Sequence, residues 1–315
     1  MMKPGLALGI ALGLLALCAA AADIDWRAPL LREHPLVGRI WDVSAGREVS
    51  RAEMLARLSR SKIVLLGETH DNEDHHRLQA EIYSALSAGN ARPALVMEQF
   101  DSERQSQLDA ARHAPAATVA DLARGGGFNR HGWNLDFYAP LLERALAIGA
   151  PVVAANLSRD AARAVVREGF SALGRGRAGR LALAEAWAPD VEATIKREMV
   201  AGHCGQVAEP LLSGLAAAQR ARDALMADAL LDHAQQGAVG IIGRGHARRD
   251  IGVPRYLAQR RPALNLVTVG LVEAESGLPR VAEYVAAYPG FDYLWFTPRA
   301  QRRDPCEGFS MPQAR

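Results

Sequence analysis

The chain has 315 residues, 49% of them hydrophobic, and its 37 basic and 35 acidic residues leave a formal net charge of +2. This length and composition are typical of a globular protein with one large domain, with or without a subsidiary lobe. Aromatic residues make up only 6% of the chain, and the arginines are scattered rather than arranged in a basic stripe. The sequence therefore predicts no nucleic-acid partner.

The first 22 residues are typical of a secretory signal peptide. An apolar run at 5–17 follows a basic start, and small residues follow the run. The run is too short to span a membrane comfortably as a helix. Cys18 follows Leu-Ala-Leu, which resembles a bacterial lipobox with an unusual leucine before the cysteine, so lipidation of Cys18 and plain cleavage near Ala22 are alternatives. We expect an exported protein, either periplasmic or anchored in the outer membrane as a lipoprotein.

Two cysteines remain once Cys18 is set aside. Because Cys204 and Cys306 form an even number in an oxidising compartment, a disulfide between them is predicted. The alternative is a pair of buried free thiols. Neither cysteine has a Cys-x-x-Cys partner, so no metal site on them is expected.

Beyond the leader, short apolar runs alternate with amphipathic segments, a pattern that predicts strands alternating with helices. The predicted strands are 62–66, 94–97, 151–155, 238–242 and 264–269, with an edge strand at 293–296. The predicted helices are 50–60, opened by a capping box at Ser50, then 74–86, 101–112, 141–148, a helix starting at Ser158, 215–236 and 253–259. Residues 123–133 contain three consecutive glycines and are predicted to be a loop.

These elements predict an α/β fold, with a parallel sheet flanked by helices on both faces and a smaller helical lobe. The stretch from 169 to about 210 has no strand candidate, and with the long helix after it we expect a helical insertion or lobe at about 169–236. The predicted organisation is a signal peptide at 1–22, one domain at 36–300 and a C-terminal tail at 301–315.

Two Gly-x-x-His sequences follow predicted strands and deliver His70 and His246 to the carboxyl edge of the sheet. Glu68 lies within the first motif, and Glu98 follows the second strand. Because ligands of open α/β sheets bind at this edge, we expect the four side chains to share a site.

Two chemistries fit these four residues. Glu68, His70, Glu98 and His246 could all ligate a divalent metal. Alternatively they could perform metal-free acid–base catalysis, since a carboxylate beside a histidine makes it a better general base. The spacing is not that of the helical His-Glu-x-x-His zinc motif. At 75 and 76 a further pair of histidines begins a predicted helix, where either one faces the site or both are solvated.

Several segments resemble the ChaN-like haem-binding uptake family, which belongs to a wider group with Tiki proteases and erythromycin-esterase-like enzymes. The resemblance covers roughly residues 36–296. The segments that carry it are 65–72 with 75, 76 and 79, then 96–100, Trp133 with 138–142, 218–227, 243–246 and 252–254. It implies a parallel α/β domain with a smaller helical lobe, and haem bound in relation to iron uptake.

Haem needs an axial ligand, an apolar face and donors for its propionates. The resemblance makes Tyr138 our first candidate for the ligand and His131 the second, with a core tyrosine bonded to a backbone group as the alternative for Tyr138. No Cys-x-x-Cys-His occurs, so covalent attachment is not expected.

The leading hypothesis is an exported haem-binding protein that acts in haem and iron uptake or storage. Its expected partners are haem, other components of haem uptake and, as an alternative to a monomer, a second copy in a homodimer. The competing hypothesis is a metal-dependent or His/Glu-dependent hydrolase that uses the four site residues. A third is an interaction protein that retains an inherited site without using it.

Overall fold

A computed structural model describes residues 24–304 and 306–307. The predicted signal peptide, including Cys18, lies outside the described residues, as does the end of the tail. An eight-stranded sheet carries the fold. Its strands are β1 (Ile40–Asp42), β2 (Arg47–Val49), β3 (Ile63–Glu68), β4 (Ala94–Asp101), β5 (Val152–Asn156), β6 (Ala238–Gly243), β7 (Leu266–Glu273) and β8 (Tyr293–Thr297).

The strand order is β2-β1-β8-β7-β3-β6-β4-β5, and the six strands from β8 to β5 run parallel. At one edge β1 runs antiparallel to β8, and β2 is antiparallel to β1. The predicted α/β fold class is confirmed, and the antiparallel pair makes the sheet mixed.

Within the described residues, eleven α-helices flank the sheet. They are α1 (Arg51–Leu58), α2 (Glu73–Leu86), α3 (Gln105–His113), α4 (Val119–Gly125), α5 (Leu135–Ile148), α6 (Arg159–Glu168), α7 (Arg175–Arg180), α8 (Pro189–Gly202), α9 (Glu209–Asp232), α10 (Val253–Arg260) and α11 (Val281–Ala287). The capping box predicted at Ser50 is present at the start of α1.

The core lies on both faces of the sheet. Alternate residues of β3 point to opposite faces, so that Ile63 and Leu65 join one core cluster while Val64 and Leu66 join the other. Helices α1 to α5 pack on the second cluster, and α6, α9, α10 and α11 pack on the first. Because both faces are covered, every residue of β3 is buried.

Three element predictions need correction. The residues predicted as a loop from 123 begin inside α4, and α5 starts at Leu135 rather than 141, which places Tyr138 within a helix. Asn134 caps α5 by accepting a hydrogen bond from the Asp136 N–H, and the helix continues through Pro140. The strand at 293–296 is not an edge strand, because β1 covers its outer side.

The free edge of β5 is covered by one side chain of α3. The Gln105 amide donates to the Val152 carbonyl oxygen at 3.1 Å and accepts from the Ala154 N–H at 2.7 Å. A glutamine thereby replaces the next strand and protects an edge that would otherwise pair with another chain.

The helical segment from α7 to α9 is tied covalently to the end of the chain. A disulfide joins Cys204, just after α8, to Cys306 in the tail. The tail is also held by Arg302, which forms ion pairs with Asp71 and Glu273 beside the carboxyl end of β3. Among the described residues, no helix combines the length and apolar character that crossing a membrane requires.

Candidate functional site

Three adjacent strands bring the predicted site residues together. Since β6 lies between β3 and β4, the ends of all three open onto one stretch of the sheet's carboxyl edge. Glu68 is the last residue of β3, Glu98 lies near the end of β4, and the second Gly-x-x-His sequence begins at Gly243, the last residue of β6.

Glu68 is the centre of the first half of the site. Its carboxylate is buried, and its Oε1 lies 2.9 Å from His70 Nδ1. The Tyr138 hydroxyl donates to the same oxygen at 2.7 Å, and the Gln99 amide approaches it at 3.3 Å. Three groups from three different elements therefore fix one carboxylate oxygen.

A second histidine faces the other oxygen of Glu68. His76 Nδ1 lies 3.1 Å from Glu68 Oε2, and its Nε2 donates to the His70 carbonyl oxygen at 3.0 Å. His75 points away, accepting a hydrogen bond from the Thr69 N–H at 2.9 Å and lying 2.9 Å from the Thr297 hydroxyl. Both histidines are buried, so one contacts the site and the other braces the turn after β3.

The second half of the site is a histidine between two carboxylates. His246 Nδ1 lies 2.6 Å from Asp223 Oδ1 on α9, and its Nε2 lies 3.5 Å from Glu98 Oε1. The Gly243 N–H donates to Glu98 Oε2 at 2.6 Å. All three charged side chains are buried, which is tolerable because each has a partner.

Glycine allows the two halves to meet. A Cβ added at Gly243 would lie 2.8 Å from His70 Cε1, and one at Gly67 would lie 2.9 Å from the Ala247 Cβ. The His70 ring therefore packs directly on the backbone of the second motif, which explains why glycine opens both motifs.

The buried charges shift one another's pKa values. Burial would raise the pKa of Glu68, but His76 and His70 outweigh burial and hold it well below its usual value. Burial likewise would lower the pKa of His76, and Glu68 reverses that effect.

The second half behaves similarly. Burial opposes charge on Glu98, yet His246, His70 and the Gly243 N–H lower its pKa to about 2. Burial would lower the pKa of His246, but Glu98 and Asp223 raise it to about 10. Burial raises the pKa of Asp223 to about 6, although His246 pulls it down.

The arrangement suits proton transfer better than metal binding. His70 and His246 are each oriented by a carboxylate through Nδ1. With its pKa raised to about 10, His246 is protonated near neutral pH and would act as a proton donor. Among the residues that the structure describes, no group of three His, Cys, Asp or Glu is arranged to hold a metal ion. Three donors already occupy Glu68 Oε1, which a metal would have to displace.

A more open cavity is connected to the site through one of its lining residues, Trp133. It has a volume of about 310 Å³ and is lined by residues 130–135, which are the loop before α5 and the first residue of that helix. The Trp133 ring stands edge-on to His70, with 4.4 Å between ring centroids. His131 and Arg130 are exposed on the same loop.

The two haem-ligand candidates occupy different environments. Tyr138 is fully buried, and its hydroxyl donates to Glu68 rather than to a backbone group. Burial and the neighbouring Glu68 carboxylate raise the pKa of its phenol. His131 is exposed, and among the described residues its one hydrogen bond is from its backbone N–H to Asn129 Oδ1 at 3.1 Å.

Sequence reasoning missed part of the site. Asp223 was not assigned a role, although an acidic residue on the buried face of an alanine-rich and leucine-rich helix is itself a signal. Gln99 was not predicted to contact the site, and the choice between His75 and His76 required the helix orientation. Cys204 and Cys306 form a disulfide, the pairing that the sequence predicts.

Comparison with known proteins identifies the family. A family model described as haem-binding uptake, Tiki superfamily, ChaN matches residues 54–257. The structure of ChaN of Campylobacter jejuni, described as binding haem cofacially, superposes with a TM-score of 0.65 at 22% identity over 81% of this chain and 95% of that chain. An erythromycin esterase mutant, EreC in its open conformation, gives 0.46 at 11% identity over 81% and 95%. No curated protein matches. The family match covers more than half of the chain, which therefore belongs to the ChaN family of haem-binding uptake proteins in the Tiki superfamily.

Proposed function

We propose that this protein binds haem at the mouth of the site and acts in haem uptake or storage after export. The observation that carries the proposal is the open cavity beside the buried charges, which combines an aromatic wall from Trp133 with an exposed imidazole from His131. An aromatic wall suits the apolar macrocycle, and an imidazole is a common axial ligand of haem iron.

His131 suits axial ligation better than Tyr138. An axial ligand must offer a lone pair to the iron, and the exposed ring of His131 has no competing hydrogen bond among the described contacts. Ligation by Tyr138 would require its side chain to leave Glu68 and to lose a proton beside that carboxylate. Our first sequence-based candidate is therefore replaced by the second in this proposal.

The open cavity supports a proposal that two copies of the chain pair around haem, and the leader sequence supports a proposal for where the protein acts. The cavity is open on its outer side, so one chain would cover a single face of the macrocycle and a second copy would cover the other. Cofacial haem binding, as described for the Campylobacter jejuni protein, needs one face of the macrocycle to stay free of its own chain, which agrees with this open cavity. The leader sequence supports export, with the periplasm or the outer membrane as the site of action.

A ferric haem titration followed in the Soret region tests the ligand. We expect His131→Ala to weaken haem binding by about tenfold or more and to change the Soret maximum, because the iron loses its protein ligand. The control is His113→Ala, another exposed histidine at the end of α3, which should bind as the unsubstituted protein does. Unchanged affinity and spectrum in His131→Ala would remove His131 from the proposal.

A further inference from the structure

We propose that Arg244 binds a carboxylate of the ligand, which for haem means a propionate. This inference rests on the function proposed above and names the part of the ligand that Arg244 would recognise. The residue lies in the second Gly-x-x-His sequence but takes no part in the buried charge network.

Arg244 is fixed at the mouth of the site. Its backbone N–H donates to the Glu68 carbonyl oxygen at 2.9 Å, which ties it to the end of β3. Its guanidinium carbon lies 4.3 Å from the centre of the Tyr288 ring, and one N–H reaches the Thr69 hydroxyl at 3.4 Å. The Tyr288 hydroxyl donates to Glu275, which holds the ring beneath the cation.

The positive charge of Arg244 is not neutralised within the part of the chain that the structure describes. No carboxylate there forms an ion pair with it. Arg248, in the same loop as Arg244, by contrast pairs with Glu198 on α8 and with Asp250. A guanidinium has five N–H donors in a planar fork that matches a carboxylate, and most of them are unused here. Stacking on Tyr288 restricts the fork to one orientation before any ligand arrives.

Arg244 and the aromatic wall flank the same turn after β3. Arg244 contacts Thr69, while the Trp133 ring contacts His70, and these two contacted residues are consecutive. The space beside Arg244 is open, since a Cβ added at Gly245 would meet no atom within 4 Å. A planar apolar body with carboxylates on one rim matches this arrangement, with the body at Trp133 and the rim at Arg244.

The test compares ferric haem with ferric haem dimethyl ester, in which both propionates are esterified, by Soret titration under one detergent condition. We expect Arg244→Gln to weaken binding of haem by about tenfold or more and to leave binding of the ester within about twofold, because only free propionates pair with the guanidinium. Arg244→Lys should recover part of the loss. Arg163→Gln, which removes an exposed arginine on α6, is the control for a change in net charge.

Three outcomes separate this inference from the proposal beneath it. A loss confined to the free acid supports propionate recognition by Arg244. Equal haem affinity in Arg244→Gln and the unsubstituted protein, or an equal loss for haem and ester, overturns the inference and leaves haem binding in place. If the unsubstituted protein shows no saturable Soret change with either compound, the haem proposal fails and the inference fails with it.

Discussion

Tyr138 and Glu68 define the site at the scale of single residues, because one buried hydroxyl stabilises one buried carboxylate. The hydroxyl donates to Glu68 Oε1 at 2.7 Å, alongside His70 and Gln99. Hydrogen bonds to charged groups contribute more than neutral ones, about 1.5–3 kcal/mol each. Tyr138, the first candidate for the haem ligand from the sequence, therefore stabilises the buried charge network.

Tyr138→Phe tests this role. We expect the free energy of unfolding in urea to fall by about 2 kcal/mol, because Glu68 stays buried with one donor fewer. Tyr83→Phe is the matched control. Its hydroxyl is also buried but donates to the neutral Pro93 carbonyl oxygen at 3.0 Å, so the expected loss is about 1 kcal/mol. Haem binding should survive in both variants. A folded Tyr138→Phe protein that no longer binds haem would restore Tyr138 as the ligand.

The depressed pKa of Glu98 makes part of the stability dependent on pH. Its folded-state pKa of about 2 lies below the ordinary value of 4.5. The contribution of the Glu98 charge is therefore present above the ordinary value and is lost as the pH falls toward 2. His246, with a pKa raised to about 10, acts in the opposite sense, and its contribution is lost as the pH rises from 6.5 toward 10.

Glu98→Gln tests how much of the loss of stability in acid is due to protonation of Glu98. At about pH 6 we expect it to cost about 3 kcal/mol of unfolding free energy, because His246 loses a buried partner. At about pH 3.5 the difference from the unsubstituted protein should narrow by about 1 kcal/mol, since unfolded Glu98 is then largely protonated. Urea unfolding at the two pH values measures this. A difference that stays constant or widens in acid would contradict the assigned charge state.

At the scale of elements, the second Gly-x-x-His turn positions both imidazoles. It delivers His246 to Asp223 and leaves a backbone surface at Gly243 on which the His70 ring packs. The neighbouring Gly245 has open space around it. A close contact therefore requires glycine at 243, whereas position 245 has room for a side chain.

Gly243→Ala and Gly245→Ala form a matched pair. The first adds a methyl group 2.8 Å from His70 Cε1, so it should displace the ring and cost about 1–3 kcal/mol of stability. The second should cost less than about 0.5 kcal/mol. Thermal unfolding of both proteins measures the difference. Equal stability of the two variants would show that the turn adapts and that the close approach of His70 is not required.

The sequence predicts the central elements well and the edges of the fold less well. Buried parallel strands such as β3 and β6 are continuous apolar runs, and Ser50 is a plain capping signal, so both kinds of element were found. The three-residue strands β1 and β2 carry no such run and exist through pairing with β8. Their absence from the prediction explains why β8 was placed at an edge.

The sequence likewise predicts one part of the candidate site and not the other. The four residues after strand ends could be predicted because parallel strands share a carboxyl edge. Asp223 and the contact of Tyr138 with Glu68 could not, because both side chains enter from helices, α9 and α5, and reach the site only through the packing of those helices on the sheet. Local sequence does not contain that geometry.

At the scale of the whole molecule, the disulfide ties the chain's end to the helical segment. Cys204 and Cys306 are separated by 102 residues, and closing so long a loop restricts the unfolded chain considerably. We expect replacing both cysteines with serine to cost about 2–5 kcal/mol. Dithiothreitol should destabilise the unsubstituted protein and leave the double variant unchanged. Insensitivity of the unsubstituted protein would mean that the bond does not form. Mass spectrometry of the unreduced protein would also distinguish acylation of Cys18 from plain cleavage near Ala22.

The most direct test of haem binding is the stoichiometry of a ferric haem titration of the unsubstituted protein, followed in the Soret band. We expect a saturable change with an end point of one haem or fewer per chain, because the cavity beside Trp133 offers each chain a single place for the macrocycle. A Soret absorbance that grows in proportion to added haem, without a break and with the spectrum of free haem, would contradict this expectation.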